Sequence, residues 1–248
     1  MVRLSKTFWL LIFIATGSLA DDSAKEAVEL LQKSEALMRS SGTEAEYRID
    51  ILRPEWQRTM TFRSHDDRDN NRFRMEILSP RKTKGTVFLK VDNILSMYLP
   101  KLRRQINISP AMMQDPWMGS DFNNQDLLET DAMIEGHTHR IVDRQGEGES
   151  AVYTIESIPE PDTTVTWKKL VRKIRGDGVP LEMAYHCRKK VRRLMVFDQI
   201  AEMGGRVIPT RWTMQPDDGE GKSTVITLQS IKFNVALESG LFTPMQAQ

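Results

Sequence analysis

Short segments in which apolar and polar residues alternate recur along most of this chain. In residues 45–51 and 72–77, every second side chain is apolar. Successive side chains of a β-strand point to opposite faces, so the pattern predicts strands with one buried and one exposed face. Turn residues such as Gly204-Gly205 separate the segments. The other predicted strands are 60–62, 86–91, 94–99, 151–157, 166–174, 181–187, 194–200, 207–214 and 224–233.

One segment has helical periodicity. Residues 23–40 place apolar side chains on one helical face, Ser23 with Glu26 is typical of a capping box, and Gly42 predicts the stop. One helix cannot cover the apolar face of a sheet of about ten strands. The sheet must therefore form a sandwich, fold onto itself, or enclose a cavity as a curved, partly closed barrel.

The first twenty residues have the features of a cleaved secretory signal peptide. Arg3 and Lys6 precede an apolar run over residues 7–15, and small residues end at Ala20. No cysteine follows the run, so we expect an exported chain without a lipid anchor. The predicted organisation is a signal peptide at 1–20 and a single domain at 21–248.

Composition excludes several classes of protein. The 248 residues carry 35 Lys and Arg against 34 Asp and Glu, which argues against a general polyanion binder. The single cysteine, Cys187, excludes an internal disulfide framework and cysteine-based metal clusters. No phosphate-binding or dinucleotide motif is present, and the basic strands lack the paired aromatics of a nucleic-acid platform. We predict no cofactor and no nucleic-acid partner.

The longest irregular stretch, residues 110–136, is acidic and rich in methionine. It lacks Lys and Arg but carries several Met side chains, which adapt to irregular apolar shapes. Two interpretations stay open for this stretch: a lid over a binding site, or a loop whose apolar residues plug one end of the core.

Basic residues collect later in the chain. Residues 168–175 hold a run of Lys and Arg within one predicted strand, and a second run falls where a hairpin turns. Such runs are typical of a solvated face, and the alternative is a docking patch for anionic headgroups or an acidic partner. That predicted patch is Arg188, Lys189, Lys190, Arg192 and Arg193.

His137 and His139 could place two imidazoles on one side of a strand. No third ligand is marked nearby, so surface histidines are the favoured interpretation and no metal site is predicted. His186 and Cys187 are adjacent, so in a strand they point to opposite faces, which argues against a nucleophile pair.

Several short motifs occur in the order seen in one known family. They are Pro80, Lys84-Gly85-Thr86, Phe88-Leu89, Tyr98-Leu99-Pro100, a basic segment at 101–104, Met118-Gly119-Ser120-Asp121-Phe122, Asp126-Leu127, Gly204-Gly205-Arg206-Val207-Ile208-Pro209 and Phe242-Thr243. In these the chain resembles the exported outer-membrane lipoprotein-sorting-like proteins, relatives of the lipoprotein carrier LolA. It departs from the family at Asn123-Asn124, where members often have Tyr after Asp-Phe.

The resemblance implies an α+β, mainly β fold. It implies a curved antiparallel half-barrel of about eleven strands, whose concave apolar face is covered by an N-terminal helix and a short helical loop. The space between them holds acyl chains in the family, and some relatives look linked to exporters of the resistance–nodulation–division superfamily. A fold resemblance does not by itself assign the cargo.

On this interpretation, residues on the strands and on the covering elements contact the lipid. The predicted lipid-binding residues are Tyr47, Ile49, Ile51, Phe62, Phe73, Met75 and Ile77 on strands, and Leu31, Met112, Trp117, Met118, Phe122 and Leu127 on the covering elements. Gly119, Ser120 and Asp121 complete the motif loop. A one-residue error in register would reverse every strand assignment.

Four functions remain open from sequence. The first is a soluble, non-enzymatic periplasmic carrier that binds acyl chains of lipids or lipoproteins and makes transient membrane contact, alongside a resistance–nodulation–division-type transporter. The second is a module of the same fold that senses envelope stress or binds a membrane regulator without carrying lipid. The third is an accessory subunit with a closed, dry core. The fourth is a metal-dependent enzyme using His137 and His139.

Overall fold

The computed structural model describes residues 17–128, 134–163, 165, 167–187, 190–217, 219 and 221–243. The helices are α1 (Gly17–Met38) and the short α2 (Asn124–Leu128). The strands are β1 (Gly42–Leu52), β2 (Gln57–Asp67), β3 (Arg72–Ser79), β4 (Val87–Val91), β5 (Ile94–Leu99), β6 (Arg104–Asn107), β7 (His137–Gln145), β8 (Val152–Pro159), β9 (Lys169–Arg175), β10 (Pro180–Cys187), β11 (Lys190–Met203), β12 (Arg206–Pro216) and β13 (Ser223–Phe233). Short 3₁₀ turns lie at Pro110–Met112, Trp117–Gly119, Gly148–Ser150 and Ser239–Phe242.

The described strands form one antiparallel sheet. Their order is β6-β5-β4-β3-β2-β1-β13-β12-β11-β10-β9-β8-β7, so β1 and β13 join two meanders in the middle. The sheet is open and curved, with β6 and β7 at the ends of the described array. The predicted class, mainly β with an N-terminal helix and a short helical loop, is confirmed.

The sheet has thirteen described strands rather than about eleven. The two that the sequence pattern did not predict, β6 and β7, are the outermost strands. An edge strand pairs on one side and is commonly polar, which blunts the hydrophobic alternation. The sequences RQIN in β6 and HTHRIVDRQ in β7 fit that description.

One face of the sheet, here called the inner face, is covered in two parts. Residues 108–127, here called the covering segment, pack on the half formed by β1–β5, where Trp117 contacts Phe62 and Phe88 with ring centroids 6.0 and 5.7 Å apart. Helix α1 packs on the other half, against β7, β9 and β12. Leu30 and Leu31 lie there against Ile155.

Two polar contacts fix α1 to the sheet. The Ser23 hydroxyl accepts a hydrogen bond from the backbone N–H of Ile141 in β7, at 3.2 Å. At the other end, Arg206 Nη1 donates to the carbonyl oxygens of Ala36, Leu37 and Arg39, at 2.8 to 3.0 Å. A cation there satisfies the open carbonyls and complements the helix dipole.

The predicted helix is confirmed, but its ends differ from expectation. Because α1 already begins at Gly17, Ser23 lies inside the helix and is not its N-cap. The helix ends at Met38, before Gly42, which opens β1. A Cβ at Gly42 would lie 2.1 Å from the carbonyl oxygen of Val235, so this glycine permits a close backbone approach.

Most of the predicted signal peptide, residues 1–16, lies outside the described residues. Signal cleavage therefore stays a prediction. Within the part of the chain that the structure describes, no helix is both long and apolar enough to cross a membrane.

Candidate ligand cavity

A cavity of about 340 Å³ lies between α1, the covering segment and the inner face of β9–β13. Its size is at the lower end of the range of roughly 300–1,000 Å³ that is usual for small-molecule pockets. The apolar and aromatic residues that line it are Leu31, Met38, Phe122, Ile134, Ile174, Pro180, Met183, Tyr185, Met195, Phe197, Trp212 and Ile226. The polar ones are Ser34, Glu35, Arg39, Asp126, Arg172 and Glu182.

Methionine and aromatic side chains form much of the cavity wall on the sheet. Met183 in β10 lies directly opposite Met195 in β11, and Trp212 in β12 lies opposite Ile226 in β13. Flexible thioethers and flat rings can adjust to chains of different shape. The wall suits an apolar ligand that is bound by burial more than by directional bonds.

Of the predicted lipid-binding residues, Leu31 and Phe122 line this cavity. The others pack together in one cluster beneath the covering segment: Tyr47, Ile49, Ile51, Phe62, Phe73, Met75, Ile77, Met112, Trp117, Met118 and Leu127. Of the strand residues, Ile49, Ile51, Phe62, Met75 and Ile77 are buried, and Tyr47 and Phe73 are half-buried. The side chains of the covering segment fill this half of the sheet, and lipid contact by its residues stays a prediction.

The motif loop, residues 117–122, closes on itself. Trp117 N–H donates to Phe122 O at 2.8 Å, and the Ser120 hydroxyl donates to Trp117 O at 2.7 Å. Met118 and Gly119 have φ of 52° and 80° in the left-handed region, which glycine adopts without steric cost. The Gly-Ser pair thus makes a tight turn that seats Trp117 in the core and Phe122 at the cavity.

Asp121 anchors this loop to the central strands. Its carboxylate accepts hydrogen bonds from Thr224 Oγ1 at 2.6 Å and from Arg53 Nη1 at 3.1 Å. Its backbone N–H donates to Thr224 Oγ1 at 3.0 Å, and Arg53 Nη2 donates to Gly119 O at 2.9 Å. The Asp121 side chain is 7% exposed, so the ion pair is largely withdrawn from water.

The Asp126-Leu127 pair belongs to a second anchor. Asn123 N–H donates to Asp126 Oδ2 at 2.7 Å, and Asp126 N–H donates to Asn123 Oδ1 at 2.9 Å, which is a reciprocal cap at the start of α2. Arg193 in β11 donates to both carboxylate oxygens of Asp126. Asn124 Nδ2 donates to Met112 O, so both asparagines that depart from the family pattern hold the loop.

Arg172 is a buried cation in the cavity wall that sequence reasoning did not single out. It lies on β9 between Leu170 and Ile174, on the same face, and is 5% exposed. The interpretation of this basic run as a solvated face is wrong for Arg172. The inward alternation of residues 170, 172 and 174 is the signal that could have found it.

A directed chain of hydrogen bonds leads away from Arg172. Its Nη1 donates to Ser157 Oγ at 3.2 Å, and Ser157 Oγ lies 2.8 Å from His139 Nδ1. His139 Nε2 lies 2.8 Å from Ile134 O, a carbonyl that can only accept. The proton of neutral His139 is therefore on Nε2, and Ser157 donates to Nδ1. Burial lowers the pKa of His139, in accord with this neutral form.

The expectation of surface histidines is wrong, because both imidazoles are buried. His137 and His139 share one side of β7 with ring centroids 6.3 Å apart, and His137 Nδ1 lies 3.0 Å from Glu135 O. Among the described residues, no three His, Cys, Asp or Glu side chains group as a metal site.

The five residues of the predicted docking patch do not form one described surface. Arg188 and Lys189 lie outside the described residues, Lys190 begins β11, and Arg192 is exposed. Arg193 instead turns inward to Asp126, with its guanidinium 4.5 Å from the ring centroid of Tyr185.

Comparison with known proteins gives a family and a set of related folds. A family model described as an uncharacterized protein matches residues 69–246. A comparison with curated protein sequences found no match. Among solved structures, the fold is similar to a DUF1329 family protein from Desulfovibrio piger, with TM-score 0.79 and 19% identity over 91% of this chain and 99% of that one.

Two further structures are similar along nearly their whole length. An outer membrane lipoprotein-sorting protein domain from Vibrio parahaemolyticus has TM-score 0.75 and 22% identity over 89% of this chain and 97% of its own. A LolA superfamily protein from Nitrosomonas europaea has TM-score 0.72 and 16% identity over 88% and 97%. At these identities the similarity is one of fold.

Proposed function

The chain belongs to the family of uncharacterized proteins whose model matches residues 69–246 and has a LolA-like fold, and from this premise we propose that it binds acyl chains of lipids or lipoproteins in the cavity and carries them between components of the cell envelope. The observation that carries the proposal is the 340 Å³ cavity between α1, the covering segment and β9–β13. Burying an acyl chain there removes about 0.8 kcal/mol per CH₂ of unfavourable exposure to water. Binding of this kind needs no catalytic group.

Loading and release require an opening of the covering elements. The covering segment is bonded to the sheet and to Arg53 through Asp121 and Asp126, and α1 is bonded to the sheet through Ser23 and Arg206. Because these contacts involve different residues, we propose that one element can open while the others stay bound. Because the sequence carries no nucleotide-binding motif, the direction of transfer would follow the relative affinities of donor, carrier and acceptor.

The setting of this activity is also part of the proposal. We place the mature chain in the periplasm after signal cleavage at Ala20, without a lipid anchor. Its exchange partners would be a membrane surface and an inner-membrane transporter of the resistance–nodulation–division type. The exposed Arg192, within a stretch of the sequence rich in Lys and Arg, supports a transient contact with anionic headgroups.

A second function is favoured by one observation. Half of the inner face is filled by the covering segment, so the cavity is small relative to the sheet. A sensor or accessory module that binds a membrane regulator would need no larger space. Such a module would stay empty in the presence of envelope lipids and would bind a protein partner through its outer surface.

Native mass spectrometry of the protein, purified without detergent from the exported fraction, tests the carrier function. We expect an adduct of defined mass that organic extraction removes. Met195→Trp puts a large ring into the cavity and should abolish the adduct. Val196→Trp is the matched control, because the neighbouring residue of a strand points to the other face. Protein that stays empty after incubation with envelope lipids would favour the sensor.

A further inference from the structure

Three turns of the sheet lie together at one end of strands β1–β6. Because these strands are antiparallel neighbours, the β1–β2, β3–β4 and β5–β6 turns fall at the same end, and the β2–β3 and β4–β5 turns fall at the opposite end. The three turns with the strand residues beside them, 53–58, 80–86 and 100–104, are here called the basic end. The second and third turns lie close, since a Cβ at Gly85 would be 3.5 Å from Pro100 Cγ.

Positive charge is concentrated at the basic end. It carries eight Lys and Arg residues and one acidic residue, Glu55. Seven of these cations are exposed, and they are Arg58, Arg81, Lys82, Lys84, Lys101, Arg103 and Arg104. The turns at the opposite end of the same strands carry Asp69 and Asp92, and their one cation, Arg68, pairs with Glu35 at 2.9 Å. A chain of nearly balanced charge therefore presents one strongly basic surface.

Two large apolar side chains are exposed among these cations. Leu102 in the β5–β6 turn is 67% exposed, and Trp56 in the β1–β2 turn is 42% exposed. The guanidinium groups of Arg58 and Arg53 lie 5.1 and 5.7 Å from the ring centroid of Trp56. Tryptophan beside Arg and Lys is typical of a membrane–water interface, where the ring enters the interfacial layer and the cations stay at the headgroups.

The basic end also contacts the motif loop. Arg58 Nη1 donates to Met118 O at 3.1 Å, and Arg53 Nη2 donates to Gly119 O at 2.9 Å. Phe122, at the end of this loop, lines the cavity. A membrane that meets the basic end would therefore lie beside the loop that closes the cavity.

We propose that the basic end is the surface by which the protein docks on an anionic lipid membrane, with its Lys and Arg at the headgroup phosphates and Trp56 and Leu102 in the interfacial layer. The inference rests on the proposed function, which requires exchange at a membrane, and names the surface that makes the contact. Apolar side chains on separate turns, each flanked by cations, fit a continuous lipid layer. A protein partner would need a matching pocket for each of them.

Vesicle flotation with protein purified from the exported fraction tests this docking. One set of vesicles contains phosphatidylcholine alone, and the other contains equal amounts of phosphatidylcholine and phosphatidylglycerol. At low ionic strength we expect partition onto the anionic vesicles to be about tenfold or more stronger, and to weaken as salt is added. Equal partition onto both sets would overturn the inference. Absence of binding to either set would also overturn it and would favour an acidic protein partner.

A first pair of variants tests the apolar contact. Leu102→Ser should weaken partition onto the anionic vesicles by about fivefold or more, because it removes an apolar side chain from the interfacial layer. Ile94→Ser is the matched control, since Ile94 is 55% exposed beside the β4–β5 turn at the opposite end. It should change partition by less than about twofold. Both positions lie outside the packed core, so we expect both variants to fold.

A second pair tests the charge. Lys101→Glu should weaken partition by about tenfold, since each cation near an anionic surface contributes to the attraction. Lys25→Glu changes the net charge equally at a side chain on α1 that is 78% exposed, and it should weaken partition by less than about twofold. If the two members of either pair partition alike, the basic end is not the docking surface.

The proposed function and this inference fail in different ways. Native mass spectrometry reports the acyl adduct, whereas flotation reports the membrane contact. An acyl adduct in a protein that does not prefer anionic vesicles would overturn the docking surface and leave acyl binding in place. Preferential partition that depends on Leu102 and Lys101, in a protein without an adduct, would support the docking surface and contradict the carrier.

Discussion

Arg193 on β11 and Asp126 on α2 form a two-bond ion pair at 2.6 and 2.9 Å across the edge of the cavity. Asp126 lines the cavity and also caps α2, so the pair ties the helical end of the covering segment to the sheet. The side chains are 16% and 8% exposed. The pair is the contact that must break if this end opens.

Arg193→Met should therefore loosen the covering segment. The variant keeps an apolar stem but leaves the Asp126 carboxylate without this donor, which we expect to lower the free energy of unfolding by about 1–3 kcal/mol. Release of a bound fatty acid should become several-fold faster, because the barrier to opening falls. Chemical denaturation and stopped-flow displacement measure the two effects.

Arg192→Met is the matched control for this prediction. Arg192 is exposed on the neighbouring position of β11, so its loss should change stability by less than about 0.5 kcal/mol. Equal release rates for the two variants would show that the Arg193–Asp126 pair does not hold the cavity closed.

Thr224→Val should loosen the motif loop, because Thr224 binds Asp121 of that loop. The Thr224 hydroxyl accepts from Asp121 N–H and donates to the Asp121 carboxylate, at 3.0 and 2.6 Å. Removing it leaves buried polar groups unsatisfied, at a cost of about 1–3 kcal/mol. Amide hydrogen exchange at residues 119–122 should accelerate.

Thr227→Val, three residues further along β13 and on the opposite face, keeps the loop contacts. It should leave exchange at residues 119–122 unchanged. If the two valine variants exchange alike there, the hydroxyl of Thr224 is not the anchor.

Met75→Ala distinguishes a residue of the packed core from a residue that binds the ligand. Met75 is 5% exposed beneath the covering segment, so truncation should lower the free energy of unfolding by about 2–5 kcal/mol. The affinity of the folded protein for an acyl chain should stay within about twofold, since the residue does not line the cavity. A large loss of affinity at unchanged stability would instead support the sequence-based prediction that Met75 contacts lipid.

Stability should fall as the solution becomes mildly acidic. Burial lowers the pKa of His139 and of His65 below the ordinary value of 6.5. The unfolded chain then binds more protons than the folded one, so stability is complete above about pH 6.5 and is lost as pH falls through the folded pKa values. His139→Gln should flatten this dependence between about pH 7.5 and pH 5 in thermal unfolding. An unchanged slope would mean that His139 is not the titrating group.

Much of the fold follows from local patterns. Alternation in residues 45–51 and 72–77 predicts strands whose inward residues, such as Ile49 and Ile77, are fully buried. The edge strands β6 and β7 were not predicted, because a strand that pairs on one side only does not need a regular alternation of apolar residues. The earlier start of α1, at Gly17, was not predicted because its first turns coincide with the predicted cleavage site.

The position of the cavity could not be read in the same way. Periodicity identifies the inward side chains of each strand, but it does not say which of them the rest of the chain will cover. The covering segment packs on β1–β5 through Trp117, and space remains between it and β9–β13. That choice depends on contacts distant in sequence, such as Asp121 with Thr224 and Asp126 with Arg193.

Photo-crosslinking with a fatty acid that carries a diazirine at the end of its chain tests most directly where acyl chains bind. We expect labelling of peptides that contain Met183, Met195 or Phe197, and loss of labelling in Met195→Trp but not in Val196→Trp. Labelling confined to peptides of β1–β3 that contain Phe62 or Met75 would place the chain in the packed half. That result would contradict the cavity as the binding site.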